Sequence, residues 1–290
     1  MQVGTIQALW RYPVKSMAGE KINEADVEKV YGIPGDRGWA IRDEEIGEIR
    51  GAKNIRELLQ LSARYLEQPQ GAQTPAVEID LGNGGVRRCD DPNINEALST
   101  RLKKKVSLWP RQPADNLDHY RRVEALDETE MRRVMGLLAE EPLPEWFEHA
   151  TEETLERVDK FVAPPGVYFD GAELHLISTT SLATLSSLMP ESVIDSRRFR
   201  PNIVLDSAAS EGFPEMEWCG RHLQVGTAVL KIVSPMVRCS MVTHTQGELP
   251  KDPKIMRTLV QEAGMNFGVA LWVIEPGTFK VGDPVELVEE

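Results

Sequence analysis

The sequence predicts a β-rich, mixed α/β protein of two domains joined by a helical segment. Three observations lead there. Short apolar runs recur along the chain, separated by Gly, Pro and Asn turn signals, as in barrels and sandwiches rather than bundles. Two Asp-Pro pairs, at Asp91 and Asp252, each precede a helix-spaced stretch. Between Pro110 and Pro165 the composition shifts to charge and proline, and 290 residues suffice for about two cores.

The elements follow in order. Gln2 to Tyr12 alternates loosely and reads as a strand; Pro13 has no N–H for a ladder and ends it, leaving Val14-Lys15-Ser16 as a polar corner. Ala25 to Tyr31 and Gly38 to Arg42 are expected strands around a turn at Gly32 to Asp36, and Asn54 to Leu61 a short helix. Ala76 to Leu81 and Val86 to Cys89 flank Gly82-Asn-Gly-Gly85, a hairpin signal because Gly and Asn tolerate positive φ. Asp91 is expected to cap a helix running to Leu102, followed by a strand from Val106 to Trp109. This defines a first domain, residues 1–110.

Residues 111–165 carry helix-spaced Leu126, Val134, Leu137 and Leu138, with Asp127 and Glu130 as a capping pair, and read as a helical linker or insertion with a solvated charged face. From residue 166 to 290 strands return. Leu174 to Ile177 leads into a helix from Ser178 to about Met189, and Arg198 to Leu205 is an expected strand entered through a Pro corner. Leu223 to Val225 pairs with Ala228 to Val233, and Asp252-Pro253 opens a helix through Ala263. Asn266 to Ile274, Gly277 to Val281 and Val285 to Val288 are the last strands. A barrel-like second domain with peripheral helices is expected.

Composition excludes several functions. A net charge of −13 argues against nonspecific nucleic-acid binding and against an anionic membrane surface, so any bound anion must meet a local cluster of cations. Three cysteines make neither a disulfide scaffold nor an all-cysteine iron–sulfur site, and suit a reducing compartment. No stretch is long and apolar enough to span a bilayer, and the start lacks a secretory pattern, so the expectation is a soluble cytoplasmic protein. Dinucleotide, phosphate-loop and His-Glu-x-x-His motifs are missing.

The chemistry gathers around Ser234 to Gly247, SPMVRCSMVTHTQG. Cys239 follows Arg238, whose guanidinium favours the thiolate, the form that ligates metal or attacks. Alone this is a weak signal, since most such cysteines are small buried hydrophobes. Of the five histidines, His119, His149, His175 and His222 are isolated, His175 in an apolar strand; His244, five residues after Cys239, is a candidate proton shuttle. Lys15-Ser16 and Asp36-Arg37 sit at turns. Ser178 to Ser181, including Thr180, lie at a helix N-terminus that favours an anion, and Arg198, Arg200 and Asn202 flank a strand start. Each has an ordinary alternative as a cap or a surface ion pair. Together they describe an anion site with a thiolate nearby.

Tyr12-Pro-Val-Lys-Ser16 and Gly35-Asp-Arg37 resemble the β-barrel domain that precedes MOSC domains. Ser178 to Leu182, Arg198-Phe-Arg-Pro-Asn-Ile-Val204, Arg238-Cys239 and Pro276 to Pro284 resemble the MOSC domain itself, the molybdenum cofactor sulfurase C-terminal domain family, and within it the amidoxime-reducing-component type. The resemblance implies a molybdenum-molybdopterin cofactor, with Cys239 as metal ligand and Arg238 beside it. It implies that Lys15, Ser16, Arg37, Thr180, Ser181, Arg198, Arg200 and Asn202 hold the pterin and its phosphate. Cys89 and Cys219 match no motif position and are expected to be structural.

The implied activity is reduction of small N-hydroxylated compounds (amidoximes, hydroxylamines, N-hydroxylated bases). Electrons would come from a separate ferredoxin, flavoprotein or cytochrome b5-like donor. The loop after Cys239 departs from the Thr-Val-Asp-Pro type of the eukaryotic proteins, which leaves the substrate open, and there is no room for the sulfurase's pyridoxal-phosphate domain. The alternatives are a cofactor carrier or sulfur-transfer protein using Cys239 as a persulfide site, and a pocket for another phosphorylated small molecule.

Overall fold

The structure is a computed structural model that describes residues 1–124, 126–144 and 152–288. His149 lies outside the described residues.

The first strand, β1 (Gln2–Arg11), does not stay with the residues that follow it. It pairs antiparallel with β11 (Ile203–Ser207) on one side and β16 (Pro284–Val288) on the other. These close a seven-stranded barrel, in the order β11, β10 (Leu174–Ser178), β14 (Asn266–Glu275), β13 (Ala228–Val237), β12 (His222–Val225), β16, β1 and back to β11. Hydrogen bonding thus crosses the expected division of the chain at residue 110. Without β1, both β11 and β16 would present open edges. A register shift between Ile6 and Ala8 accounts for the loose alternation of β1: Val3, Ile6 and Leu9 all reach the core although their spacing is not two. Gly4 is required by close approach, since a Cβ there would stand 2.2 Å from the Asp206 carbonyl oxygen.

Inside the barrel, Leu9, Leu176, Ile203, Leu230, Leu271 and Val285 are fully buried, each contributing about 1.5–3 kcal/mol of transfer free energy. Cys219 packs at its margin. β2 (Glu20–Ile22) extends β1, and β3 (Glu24–Val27) pairs with β15 (Gly277–Lys280), so the second and third strands are also held by the barrel half. β3 is shorter than expected because Val30 takes φ +75° in a turn closed by Glu28 and Gly32.

The rest of the N-terminal part forms two three-stranded sheets. One holds β5 (Glu48–Arg50), β4 (Trp39–Asp43) and β9 (Val106–Pro110). The other holds β6 (Ser62–Tyr65), β7 (Val77–Asp80) and β8 (Val86–Arg88). With α1 (Ile94–Leu102) they enclose Ile41, Leu58, Val77, Ile79 and Leu98. Cys89 lines this core, its Sγ accepting the Val77 N–H at 3.3 Å.

The intervening segment holds α2 (Leu117–Tyr120), α3 (Glu128–Met135) and α4 (Glu152–Lys160). Asp127 caps α3 as expected, accepting from the Glu130 N–H at 2.8 Å, and Gly136 ends it at φ +75°. Beyond, α5 (Thr179–Leu188) and α6 (Lys254–Ala263) pack outside the barrel. The Asp-Pro pairs act one step earlier than expected: Asp91 accepts from Asn93 N–H and Asp252 from Lys254 N–H, so each turns the chain before its helix begins at Ile94 and Lys254. Arg198 to Arg200 are not strand. Ser196–Phe199 is a 3-10 turn capped by Asp195, and pairing waits until Ile203 because Pro201 has no N–H to donate. Among the described residues, no helix is long and apolar enough to cross a membrane.

Candidate functional site

Where β13 ends, Arg238 and Cys239 turn out of the barrel wall. The Arg238 N–H donates to the Met265 carbonyl at 2.8 Å and its Nη2 to the Phe199 carbonyl at 2.8 Å, while its Nε is buried with no hydrogen-bond partner among the described residues. Burial pushes the Arg238 guanidinium down to about 10, against the opposing pull of Cys239. Cys239 is half-buried, heads the 3-10 turn Ser240–Thr243 and packs against the Met131, Val134 and Met135 face of α3. Ser240 Oγ donates to the Val134 carbonyl at 2.8 Å, so the insertion helix is pinned to the cysteine loop.

The polar corners collect on the same side. Tyr12 is the floor: the guanidinium of Arg200 lies 4.2 Å and that of Arg37 4.7 Å from its ring centroid. Both arginines hold left-handed backbone, φ +54° and +49°, which for non-glycine residues persists only when the surroundings enforce it. Here Asp36 enforces it. Its carboxylate accepts from the Tyr12 N–H at 2.8 Å, from Asn202 Nδ2 at 3.0 Å and from Arg37 Nη1. Arg37 Nη2 in turn reaches the Arg200 carbonyl at 3.4 Å. Arg200 donates to the Met17 carbonyl at 2.6 Å, yet its Nη2 is buried without a partner. Burial, reinforced by Arg37, pushes Arg200 down to about 10.

Lys15 and Lys53 complete the cluster. Lys15 Nζ donates to the Tyr168 carbonyl and to Asp170, and Lys53 Nζ donates to the other Asp170 oxygen at 2.9 Å. Burial lowers the Lys15 pKa against the pull of Asp170, whereas Asp170, aided by Cys239, raises that of Lys53. Desolvation by the crowded neighbourhood would raise the pKa of Asp170, whose side chain is partly exposed; the two ammonium groups outweigh it and hold the carboxyl well below the usual carboxylate range. Ser16, also left-handed at φ +69°, turns its hydroxyl to the Ala52 N–H at 2.9 Å. Five cations (Lys15, Arg37, Lys53, Arg200, Arg238) thus face two carboxylates, Asp36 and Asp170, in a chain that is acidic overall. Cys239 sits beside that positive excess.

Four expected members are engaged elsewhere. Thr180 and Ser181 do open a helix, but its N-terminus already has an anion: the fully buried Glu215 carboxylate accepts from Ser178 N–H at 3.1 Å, Ser178 Oγ at 2.6 Å and Ser181 Oγ at 2.7 Å. Thr180 Oγ1 donates to the Ala209 carbonyl at 2.9 Å. Arg198 is fully buried and spends its guanidinium on the carbonyls of Val193, Val242, His244 and Pro250, fastening the loop that follows Cys239. His244 lines a separate cleft of about 330 Å³ with Arg56, Glu57, Gln60, Thr245 and Lys251. Burial, then Arg56 and Lys251, push it down to about 4, so it is neutral near pH 7. Asn202 is at the centre but structurally occupied, its Oδ1 accepting from His175 N–H at 3.1 Å and its Nδ2 bonded to Asp36.

A second cleft, of about 340 Å³, runs along the other side of Arg200 past Trp10, Tyr12 and Glu248. Sequence reading missed Tyr12 as the stacking floor, though it stands in the same Tyr-Pro-Val-Lys-Ser run. It also missed Lys53 and Asp170, single loop residues 117 positions apart with no motif to mark them.

Comparison with known proteins places the chain among relatives. Residues 166–286 match the MOSC domain model and residues 3–82 the MOSC N-terminal beta barrel domain model. The chain is 26% identical to human mitochondrial amidoxime-reducing component 1 over 99% of its own length and 84% of the relative's. It is 24% identical to the bovine mitochondrial amidoxime reducing component 2, over 98% and 83%. Among solved structures, the YUAD protein of Bacillus subtilis aligns over 99% of this chain and 96% of its own at 13% identity, with a TM-score of 0.45. YiiM of Geobacillus stearothermophilus aligns over 41% and 55% at 22% identity, TM-score 0.32. A MOSC N-terminal barrel domain followed by a MOSC domain, matched in that order, makes this chain a member of the MOSC family.

Proposed function

We infer that the protein is a molybdenum-cofactor oxidoreductase that reduces N-hydroxylated compounds. One observation carries the reading: a half-buried cysteine beside a cation cluster in which Arg238 Nε and Arg200 Nη2 are buried without partners. Buried guanidinium N–H groups left without an acceptor are costly unless an anion completes them. A pterin dithiolene with its phosphate has the matching charge, and a thiolate is a suitable soft ligand for its metal. The residues present therefore fit this group. When bound, it supplies the two-electron redox chemistry that reduction of an N–O bond needs.

The chain's own residues divide the remaining work. Cys239 would ligate the metal, and Arg238 would hold negative charge beside it. Lys15, Arg37 and Arg200 would bind the anionic end, with Asp36 and Tyr12 fixing the two arginines in place. Lys53 Nζ, kept charged by Asp170, holds a proton near Cys239. We assign His244 no part in this, since it lines the separate cleft with Arg56 and Lys251. Electrons would come from a separate ferredoxin, flavoprotein or cytochrome b5-like protein, as the names of the amidoxime-reducing relatives suggest a reductive system.

The test is turnover of benzamidoxime by cofactor-loaded protein with an artificial reductant. Amidine formation that vanishes in Cys239→Ala supports the reading. Loaded protein that releases its cofactor readily and shows no turnover supports a carrier.

A further inference from the structure

Asp170 is the unusual member of the cluster. Asp36 and Glu215, the other carboxylates near the polar corners, are fully enclosed and bonded to backbone N–H groups. Among the described residues Asp170 instead bonds only side-chain ammonium groups, and its side chain is 51% exposed while that of Lys15 is 13% exposed. It therefore lies at the mouth, with the lysine behind it. Resting on the reading of the cluster as an anion site, the geometry assigns Asp170 a specific role. Its carboxylate stands in for the ligand's anionic group, and it sets the charge a ligand must carry to displace it.

The surrounding chain is built for such an exchange. Two residues before Asp170, Tyr168 is fixed: it is fully buried, its hydroxyl lies 2.6 Å from His119 Nε2 and donates to the Pro110 carbonyl at 3.1 Å. Lys15 also donates to the Tyr168 carbonyl, so it keeps its position when the carboxylate leaves. On the other side, Gly171 has open space where a Cβ would stand, so the position next to Asp170 faces no packed neighbour there.

The charge argument is simple. A monoanion that replaces Asp170 exchanges one negative charge for another and gains nothing from the exchange. A dianion brings an additional charge to a cluster whose cations already outnumber its carboxylates. Asp170 thus screens out singly charged anions such as acetate and admits phosphate-bearing ligands. It also offsets one of the two charges on Lys15 and Lys53 until such a ligand arrives.

The experiment is isothermal titration calorimetry on the full-length, cofactor-free protein at pH 8. Wild type, Asp170→Asn and Lys53→Met would each be titrated with inorganic phosphate, pyrophosphate and acetate. Thermal melts of each variant check the fold, and Asp170→Ser replaces Asp170→Asn if the latter does not fold. Wild type is expected to bind pyrophosphate and not acetate. Asp170→Asn is expected to bind pyrophosphate about tenfold more tightly, equivalent to about 1.4 kcal/mol, and to gain measurable acetate binding. Lys53→Met is expected to lose affinity for every anion. Equal or weaker pyrophosphate binding by folded Asp170→Asn would overturn the role of Asp170 while leaving the anion site standing. No anion binding by any folded variant would overturn the anion site itself.

Discussion

Asn202 and Asp36 meet at 3.0 Å, Nδ2 to Oδ2, and join two parts of the chain 166 residues apart. Asn202 leads into a barrel strand and Asp36 sits in the turn ahead of β4. The contact sets the distance between Arg200 and Arg37, since each arginine is a near neighbour of one partner.

Asp36→Ala is expected to be strongly destabilising. It leaves the buried Tyr12 N–H without its acceptor and takes the carboxylate partner from the Arg37 guanidinium, a loss of about 3–5 kcal/mol for breaking a buried charged pair. Urea unfolding measures it. A loss below about 1 kcal/mol would show that the turn has another support.

Ser181→Ala and Thr180→Val separate the helix start from the cation cluster. Ser181→Ala removes one donor to Glu215 and is expected to reduce stability by about 1–3 kcal/mol. Neither variant is expected to lower cofactor content in protein from a cofactor-producing host. Loss of cofactor with an unchanged melting temperature would place these hydroxyls back at the ligand.

His244 makes a pH prediction. Its pKa in the folded protein, about 4, lies below its ordinary value, so the unfolded chain takes up a proton at a higher pH than the native one. The stabilising contribution is complete above about pH 6.5 and falls as pH drops toward 4, by on the order of 3 kcal/mol. His244→Gln is expected to flatten that part of the stability-versus-pH curve. An unchanged slope would mean that the imidazole is hydrated in the native state.

What the sequence showed well was local. The Tyr12 to Ser16 and Gly35 to Arg37 corners, the Arg238-Cys239 pair and the Asp127 cap all have their determinants within a few residues. The Gly82 to Gly85 hairpin was legible for the same reason, since positive φ at Gly82 and Gly85 is a property of those residues. The rest depended on distant partners. Glu215 fills the α5 N-terminus from 37 positions away, which a reading of Ser178 to Ser181 as an anion site has no means of including. Lys53 and Asp170 become members of the site only when the two halves of the chain meet. The assignment of β1 to the barrel likewise follows from closure, a property of the whole sheet. The four residues of chain between Cys239 and His244 left the direction of the imidazole open, and the 3-10 turn at Ser240–Thr243 carries it to the cleft beside Arg56.

The most direct measurement is molybdenum and pterin content, by elemental analysis and fluorescence, in protein purified from a host that makes the cofactor. Wild type and Cys239→Ala would be compared, with circular dichroism confirming that both are folded. Near-stoichiometric molybdenum and pterin in wild type, with metal lost or its coordination altered in Cys239→Ala, is the predicted result. Neither metal nor pterin in folded wild-type protein would contradict the assignment of Cys239 and the surrounding cations to a molybdenum cofactor.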